Sequence, residues 1–145
     1  MIHFKQIDES NFDAIVRMKR PDGEGFVASN AYSLAQAWLY REAEDVFPFA
    51  VYDDSTPVGF MMLDTDDDGS LYLWRIMFPE EHCNKGYGTA AIELLCTLMK
   101  ESGKYTELSL GVSPANVRAR HVYEKLGFVA TGEIEHGEET MVRKL

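Results

Sequence analysis

Seven consecutive residues, Cys83-Asn84-Lys85-Gly86-Tyr87-Gly88-Thr89, set two glycines between a strand-like run, Leu71 to Phe78, and a helix-like run beginning near Thr89. A glycine-bearing turn that feeds a helix leaves several backbone N–H groups unpaired and pointing one way, with the helix dipole behind them. Such donors suit a phosphate or pyrophosphate, and the glycines allow close approach because no Cβ intervenes. Taken alone, the same spacing also fits a tight turn before a helix. Gly86-Tyr87-Gly88-Thr89 lacks the Lys-Ser/Thr of a P-loop, which argues against nucleotide triphosphate chemistry. A second pair stands downstream. Asn116 and Tyr123 are close to two helical turns apart and share a face, and the Tyr123 phenol has one proton to give.

Metal chemistry finds no such support. His82 lies beside Cys83, but His3, His121 and His136 are dispersed without ligand spacing, so zinc is not expected. The run Asp64-Thr65-Asp66-Asp67-Asp68-Gly69 lacks the terminal glutamate and flanking helices of a calcium loop. Cys83 in the turn and Cys96 within a helical run form no disulfide framework, which fits a reducing, cytoplasmic setting. The amino terminus has no signal-peptide profile, and no apolar run reaches the length of a membrane span.

Charge is unevenly placed along the 145 residues, whose net value is −10. Residues 1–68 hold 14 acids against 5 bases, and residues 69–145 hold 10 against 9. A chain so charged should repel nucleic acid and anionic membranes and draw small cations to its first half. Charge of this kind also simply keeps a protein soluble.

The elements that must position these groups follow from periodicity. Ile2 to Ile7 alternates as a strand. Ser10 or Asn11 can cap a helix carrying Phe12, Ile15, Val16 and Met18. Residues 20–25 read as a polar loop, and Ser33 opens a second helix to about Glu44, with Leu34, Ala37, Trp38 and Arg41 at helical spacing. Phe47 to Tyr52, Val58 to Leu63 and Leu71 to Phe78 are three strands joined by hairpin-like connectors. After the Gly turn, Ala91, Leu94, Leu95, Leu98 and Met99 form an apolar helical stripe. Leu108 to Val112 is a strand, and Ala115 to Leu126 a helix stopped by Gly127. Phe128 to Ile134 and Thr140 to Leu145 make a closing hairpin. The order β-α-α-β-β-β-α-β-α-β-β predicts one α/β (α+β) domain over residues 1–145 with a mixed sheet.

A strand, a Gly-x-Gly turn with its helix, a further strand, then Asn116, Tyr123 and Gly127-Phe128 resembles the GNAT superfamily of N-acetyltransferases. The resemblance spans essentially the whole chain, and the spacings from Phe78 to Gly86 and from Val112 to Asn116 follow the family pattern. The segments Phe26-Val27-Ala28-Ser29-Asn30-Ala31-Tyr32-Ser33-Leu34 and Leu73-Trp74-Arg75-Ile76 look most like the small bacterial polyamine (spermine/spermidine) acetyltransferases. The resemblance implies a mostly antiparallel central sheet flanked by helices and acetyl-CoA as co-substrate, without a metal. Ile76, Met77 and Phe78 would pair through their backbones with the pantetheine arm, as an added strand pairs with a sheet edge. Amides from Cys83, Asn84, Lys85, Gly86, Tyr87, Gly88 and Thr89 would hold the pyrophosphate. Lys85, Arg118, Arg120 and Lys125 could meet phosphates from the rim. Asn116 would bond the cofactor near the pantetheine, and Tyr123 would protonate the departing thiolate. A homodimer is compatible with the family.

Two departures stand out. The turn usually opens with Gln or Arg where this chain has Cys83, which removes a side-chain donor but leaves the amides. Cys83 is a poor acyl-carrying nucleophile, because its predicted place is at the pyrophosphate. Family members also often carry a carboxylate base at the positions matched here by Trp74 and Gly111, neither of which can accept a proton. Asp64, Glu24, Tyr72 and Tyr32 remain candidates for that base, working through water. Glu24, Tyr32, Tyr72 and Trp74 are the candidate acceptor-binding residues, with Trp74 open to a role as an aromatic wall for a cationic amine and Trp38 expected in the core. The expected reaction is direct transfer of acetyl from acetyl-CoA to a primary amine, the acceptor being a small cationic amine such as a polyamine. A peptide or protein amine, or a non-catalytic acyl-CoA sensor, are the alternatives.

Overall fold

The computed structural model describes residues 1–20 and 28–145. Glu24, one of the acceptor-side candidates, lies outside the described residues, as do Phe26 and Val27 of the polyamine-like segment.

Eleven principal elements follow one another: β1 (Ile2–Gln6), α1 (Phe12–Arg17), α2 (Asn30–Leu39), β2 (Val46–Asp53), β3 (Thr56–Thr65), β4 (Ser70–Met77), α3 (Tyr87–Ser102), β5 (Glu107–Val112), α4 (Val117–Lys125), β6 (Val129–Glu135) and β7 (Glu138–Lys144). Short 3-10 turns occupy Arg41–Ala43 and Glu80–His82. The strands form one sheet in the order β1-β2-β3-β4-β5-β7-β6. Every neighbouring pair is antiparallel except β4 with β5. This is the predicted α/β order and mixed sheet.

The near-continuous apolar run Val58 to Leu63 is buried throughout its side-chain-bearing length, as a strand covered on both faces requires. Successive side chains of β3 point to opposite faces and feed two cores. Phe60 and Met62 join Ile15 of α1 and Ala50 and Tyr52 of β2, with Leu34 and Ala37 of α2 packed against them. Met61 and Leu63 join Leu71 and Leu73 of β4, Leu108 and Leu110 of β5, and Ile92 and Leu95 of α3. Helices α1 and α2 therefore cover one face, and α3 and α4 the other.

The early helices differ from expectation in ways the local chemistry explains. Helix α2 starts at Asn30 rather than Ser33, because the Ser29 hydroxyl caps it by accepting from the Tyr32 amide at 3.1 Å. Buried Asn30 then donates to the Ile15 carbonyl at 2.8 Å and ties α2 to α1. The helix ends at Leu39, and the turn to the sheet uses left-handed Glu44. Trp38 is not a core residue: it is 68% exposed, with the Arg41 guanidinium 3.7 Å above its ring. The buried stripe of α3 is rotated from the expected one, comprising Ala91, Ile92, Leu95 and Cys96, while Leu98 faces solvent. Both cysteines are free thiols.

Candidate active site

Strand β4 leaves its neighbour halfway along. Its parallel pairing with β5 runs from Ser70↔Glu107 to Leu73↔Leu110 and includes no later residue. On its other side β4 stays bonded to β3, with Arg75, Ile76 and Met77 opposite Met62, Met61 and Phe60. The β3 register jumps between Met62 and Leu63, so Trp74 is an extra residue opposite no partner. A bulge increases local twist and bends its strand. Here it lies where β4 and β5 separate, leaving the β5-facing backbone of Trp74 to Met77 without a ladder partner among the described residues. Gly59 of β3 lets Phe78 close the far end: a Cβ there would stand 2.5 Å from the Phe78 ring and 2.8 Å from the Met77 carbonyl.

The wedge opens into a cavity of ≈ 600 Å³, a size suited to a sizeable small-molecule ligand. Trp74, Ile76, Cys83, Gly88, Asn116 and Tyr123 all line it. The structure thus brings together the strand edge, the Gly turn and the α4 pair. The turn itself is shaped by Asn84 at φ 60 and Gly86 at φ 81, both left-handed. Gly86 needs its freedom for that angle, whereas a Cβ at Gly88 would make only ordinary contact with Phe78 at 3.6 Å. Among the described residues no acceptor takes the amides of Asn84 to Thr89, and the first helical bond is from Ala90 to the Gly86 carbonyl at 3.0 Å. Cys83 differs from its neighbours: its amide donates to the Glu80 carbonyl at 3.1 Å and its thiol to the Phe78 carbonyl at 3.4 Å. It closes the turn rather than offering a free donor.

Helix α4 fixes Asn116 and Tyr123 by its two ends. Asn116 is the N-cap and accepts from the Ala119 amide at 3.3 Å, so its Oδ1 is engaged and its side-chain NH₂ is the group left to donate. At the other end Gly127, at φ 93, donates to the Glu124 carbonyl at 3.0 Å, and the Phe128 amide donates to the Tyr123 carbonyl at 3.0 Å. This is the Schellman arrangement, and its usual apolar contact is made by the Phe128 ring 5.9 Å from the Tyr123 ring. Leu126-Gly127-Phe128 therefore positions the phenol. Tyr123 keeps some surface open where it lines the cavity, yet burial pushes its hydroxyl up to about 12, with the Glu138 charge adding to the rise and Arg20 opposing it. At neutral pH it carries its proton.

The remaining candidates are more scattered. Of the rim cations, Arg118 lines the cavity, but Arg120 is held in ion pairs with Glu124 at 3.0 Å and with Glu139. Tyr32 is 57% exposed. Asp64 lies opposite Tyr72 in the β3–β4 ladder, with burial raising its carboxyl, but it does not reach the cavity lining. Tyr72 is half-buried, and desolvation followed by the Glu138 charge raises its phenol, so it holds its proton more tightly than a free tyrosine. Trp74 packs against the α1–α2 core and beneath Arg75, whose guanidinium is 5.0 Å from the ring and donates to Gln36 of α2 at 3.0 Å.

A further lining residue comes from the closing hairpin. Glu138, the first residue of β7, faces the cavity. A Cβ built on Gly111 would stand 3.1 Å from its Oε1, 3.3 Å from its Cβ and 3.0 Å from the Tyr72 hydroxyl. The available signal was Gly111 itself: a glycine inside an apolar-alternating strand marks a place where another group comes close.

Residues 12–128 match the model of the Acetyltransferase (GNAT) family, and the chain belongs to that family. It is 26% identical over 153 residues to the spermine/spermidine N(1)-acetyltransferase of Bacillus subtilis (strain 168), with 99% of each chain covered. Among solved structures, it is similar to aminoglycoside acetyltransferase AAC(6')-Ib in complex with coenzyme A and kanamycin, with a TM-score of 0.81 at 19% identity, covering 99% of this chain and 95% of that one. It also resembles the spermidine N-acetyltransferase of Vibrio cholerae in complex with CoA and spermine, with a TM-score of 0.77 at 16% identity and the same coverages of 99% and 95%. No helix among the described residues is long and apolar enough to cross a membrane.

Proposed function

We propose that this chain transfers the acetyl group of acetyl-CoA directly to a primary amine of a small cationic acceptor, a polyamine such as spermidine. The observation that carries the donor half is the open β4 edge from Trp74 to Met77 beside the unpaired amides of Asn84 to Thr89. The backbones of Ile76, Met77 and Phe78 bond the pantetheine arm, and the Asn84–Thr89 amides hold the pyrophosphate with Arg118 at the rim. Asn116 donates through its NH₂. Acetyl-CoA supplies an activated acetyl thioester; the chain's own groups place it, exclude water and hold a proton on the Tyr123 hydroxyl for the leaving sulfur.

The acceptor half rests on charge. Glu138 lines the cavity, and its charge acts on the Tyr72 phenol more strongly than the opposing Arg75, with smaller contributions from the more distant Glu135 and Asp64. A carboxylate at that point can pair with the ammonium of a cationic amine. The polyamine acetyltransferase among the relatives and the spermine-bound neighbour support the same acceptor class.

Free-thiol release from acetyl-CoA across a panel of amines tests the reading. Turnover with spermidine and none with peptides is the expected result. Turnover confined to peptide amines would replace the acceptor, and tight acetyl-CoA binding with no turnover on any amine would make the chain a sensor.

A further inference from the structure

The two strand positions where a carboxylate is absent, Trp74 and Gly111, lie on opposite sides of the wedge, and the space over Gly111 is filled from another strand. In β5, Leu108, Leu110 and Val112 point into the α3–α4 core, so Glu107, Ser109 and Gly111 face the α1–α2 side. Gly111 is paired with Thr140 of β7, and Glu138, two residues before Thr140, shares its face and sits diagonally across from Gly111. In β4, Tyr72 alternates with core residues Leu71 and Leu73 and so faces the same side. Tyr72 and Glu138 thus converge from two strands on one point above a glycine.

Two carboxylates line the cavity: Glu80 is exposed in the turn after β4, whereas Glu138 is half-buried on the sheet. Glu139 is tied to Arg120, whereas Glu138 makes no hydrogen bond or ion pair with any described residue. The groups that act electrostatically with it are Tyr72 and Arg75 of β4 and Tyr123 of α4. Arg75 is drawn away toward Gln36 and the Trp74 carbonyl. Glu138 is therefore a carboxylate facing the cavity from the α1–α2 side, with its hydrogen-bonding capacity unspent. A half-buried carboxylate in that state is suited to a ligand that brings donors.

We infer that Glu138 is the acceptor-side carboxylate of this enzyme: it receives the incoming ammonium over Gly111, with Tyr72 beside it, and takes the proton that the amine must lose. The inference rests on the proposed acetyl transfer to a cationic amine. The ammonium gives one proton to Glu138 and thence to solvent, leaving a nitrogen lone pair. That pair forms the C–N bond to the acetyl carbon as the C–S bond breaks. The leaving sulfur takes the Tyr123 proton, and the second proton lost from nitrogen on amide formation restores the phenol through solvent. The balance is one amide, one thiol and one released proton. Gly111 contributes by having no side chain, because a Cβ there would crowd both the carboxylate and the phenol, which would have to give by a few tenths of an ångström.

Glu138→Gln keeps the size of the side chain and removes its charge and basicity. The expected result at neutral pH is a loss of about 100-fold in kcat/KM for spermidine, the scale of a lost general base. The loss should shrink as pH rises toward the amine's own ionisation, since solvent then supplies neutral amine. Glu138→Asp should retain part of the activity. Calorimetric titration of CoA should give an unchanged Kd, and titration of spermidine into the CoA-loaded protein should show affinity weakened about tenfold or more, as expected for a lost charge-assisted bond. Glu139→Gln, which touches only the Arg120 pair, should leave the rate near the parent value. A Glu138→Gln rate equal to the parent, or a loss equal at every pH with spermidine affinity unchanged, overturns the inference. Parent protein that turns over no amine, yet binds spermidine in a Glu138-dependent way, overturns the transferase reading and leaves the cation site standing.

Discussion

On the α3–α4 side of the cavity the working groups are backbone amides and residues locked at helix ends. On the α1–α2 side they are side chains from separate strands, gathered over a missing Cβ. The first wall is fixed by secondary structure: the unpaired amides of Asn84 to Thr89 exist because a helix begins there, and Tyr123 is held by a helix stop. The second wall is fixed only by sheet register, which brings Tyr72, Gly111 and Glu138 together from β4, β5 and β7. A cofactor with a constant phosphate and pantetheine body suits the first kind of construction. An acceptor that differs among family members suits the second, because one substitution at a register position changes the chemistry without disturbing an element.

The comparison is broken most severely at Tyr123. Tyr123→Phe keeps the ring against Phe128 and removes only the hydroxyl, so the cofactor wall should stay intact. Turnover should fall about 100-fold, the effect of a lost general acid, with CoA affinity unchanged in a direct titration. Equal rates would sink the proton-donor role. The sign of the pH dependence follows from burial. With the phenol pushed up to about 12, the protonated form is present throughout the neutral range, and the contribution of this group declines only as pH rises through that value. A rate that fell between pH 7 and 9 in the parent, but not in Tyr123→Phe, would show that bound cofactor lowers the phenol.

A smaller effect sharpens the acceptor side. If what matters is a carboxylate above residue 111 and not Glu138 as such, then Gly111→Asp combined with Glu138→Gln should regain activity. Moving the charge by one strand, on a side chain one methylene shorter, should recover about tenfold of the loss, measured as kcat/KM for spermidine, because a misplaced base still supplies part of its effect. Gly111→Asp alone should be impaired, since it sets a second carboxylate against Glu138, whose Oε1 stands 3.1 Å from the position of the added Cβ. Equal activity of the double variant and Glu138→Gln alone would show that the position of the carboxylate, and not its presence, decides the rate.

The same contrast explains what could be read in the linear chain. The Gly turn, Asn116, Tyr123 and the Gly127-Phe128 stop are local, and local spacing carries helix ends well. The element order was equally legible, because β3 shows its buried run and the hairpin connectors mark themselves. Glu138 could not be read this way. It lies far along the chain from Gly111, and their meeting depends on the β5–β7 pairing and on a hairpin whose β6 register slips between Ala130 and Ile134. Trp38 misleads for a related reason: helical spacing puts it in line with Leu34, yet α2 ends one residue later and the indole turns out beneath Arg41. The splay of β4 is likewise a property of pairing, arising where Trp74 has no partner.

Long-range charge gives the mildest test, and it separates the walls again. On the proposed reading, the acidic residues of the first half, Asp64 among them, would attract a polycation from a distance, while Glu138 would act at short range within the wedge. Screening shortens the first interaction to about 10 Å at 0.1 M salt and leaves the partly buried one much less affected. Raising ionic strength from about 0.05 to 0.3 M should therefore raise the KM for spermidine a few-fold with kcat nearly constant. If the pyrophosphate sits beside Arg118 as proposed, the KM for acetyl-CoA should respond in the same direction, but amides that carry no net charge should make that change smaller. If the spermidine KM stays flat while the acetyl-CoA KM climbs, the acidic half plays no part in recruiting the acceptor, and recognition rests on Glu138 and its immediate neighbours.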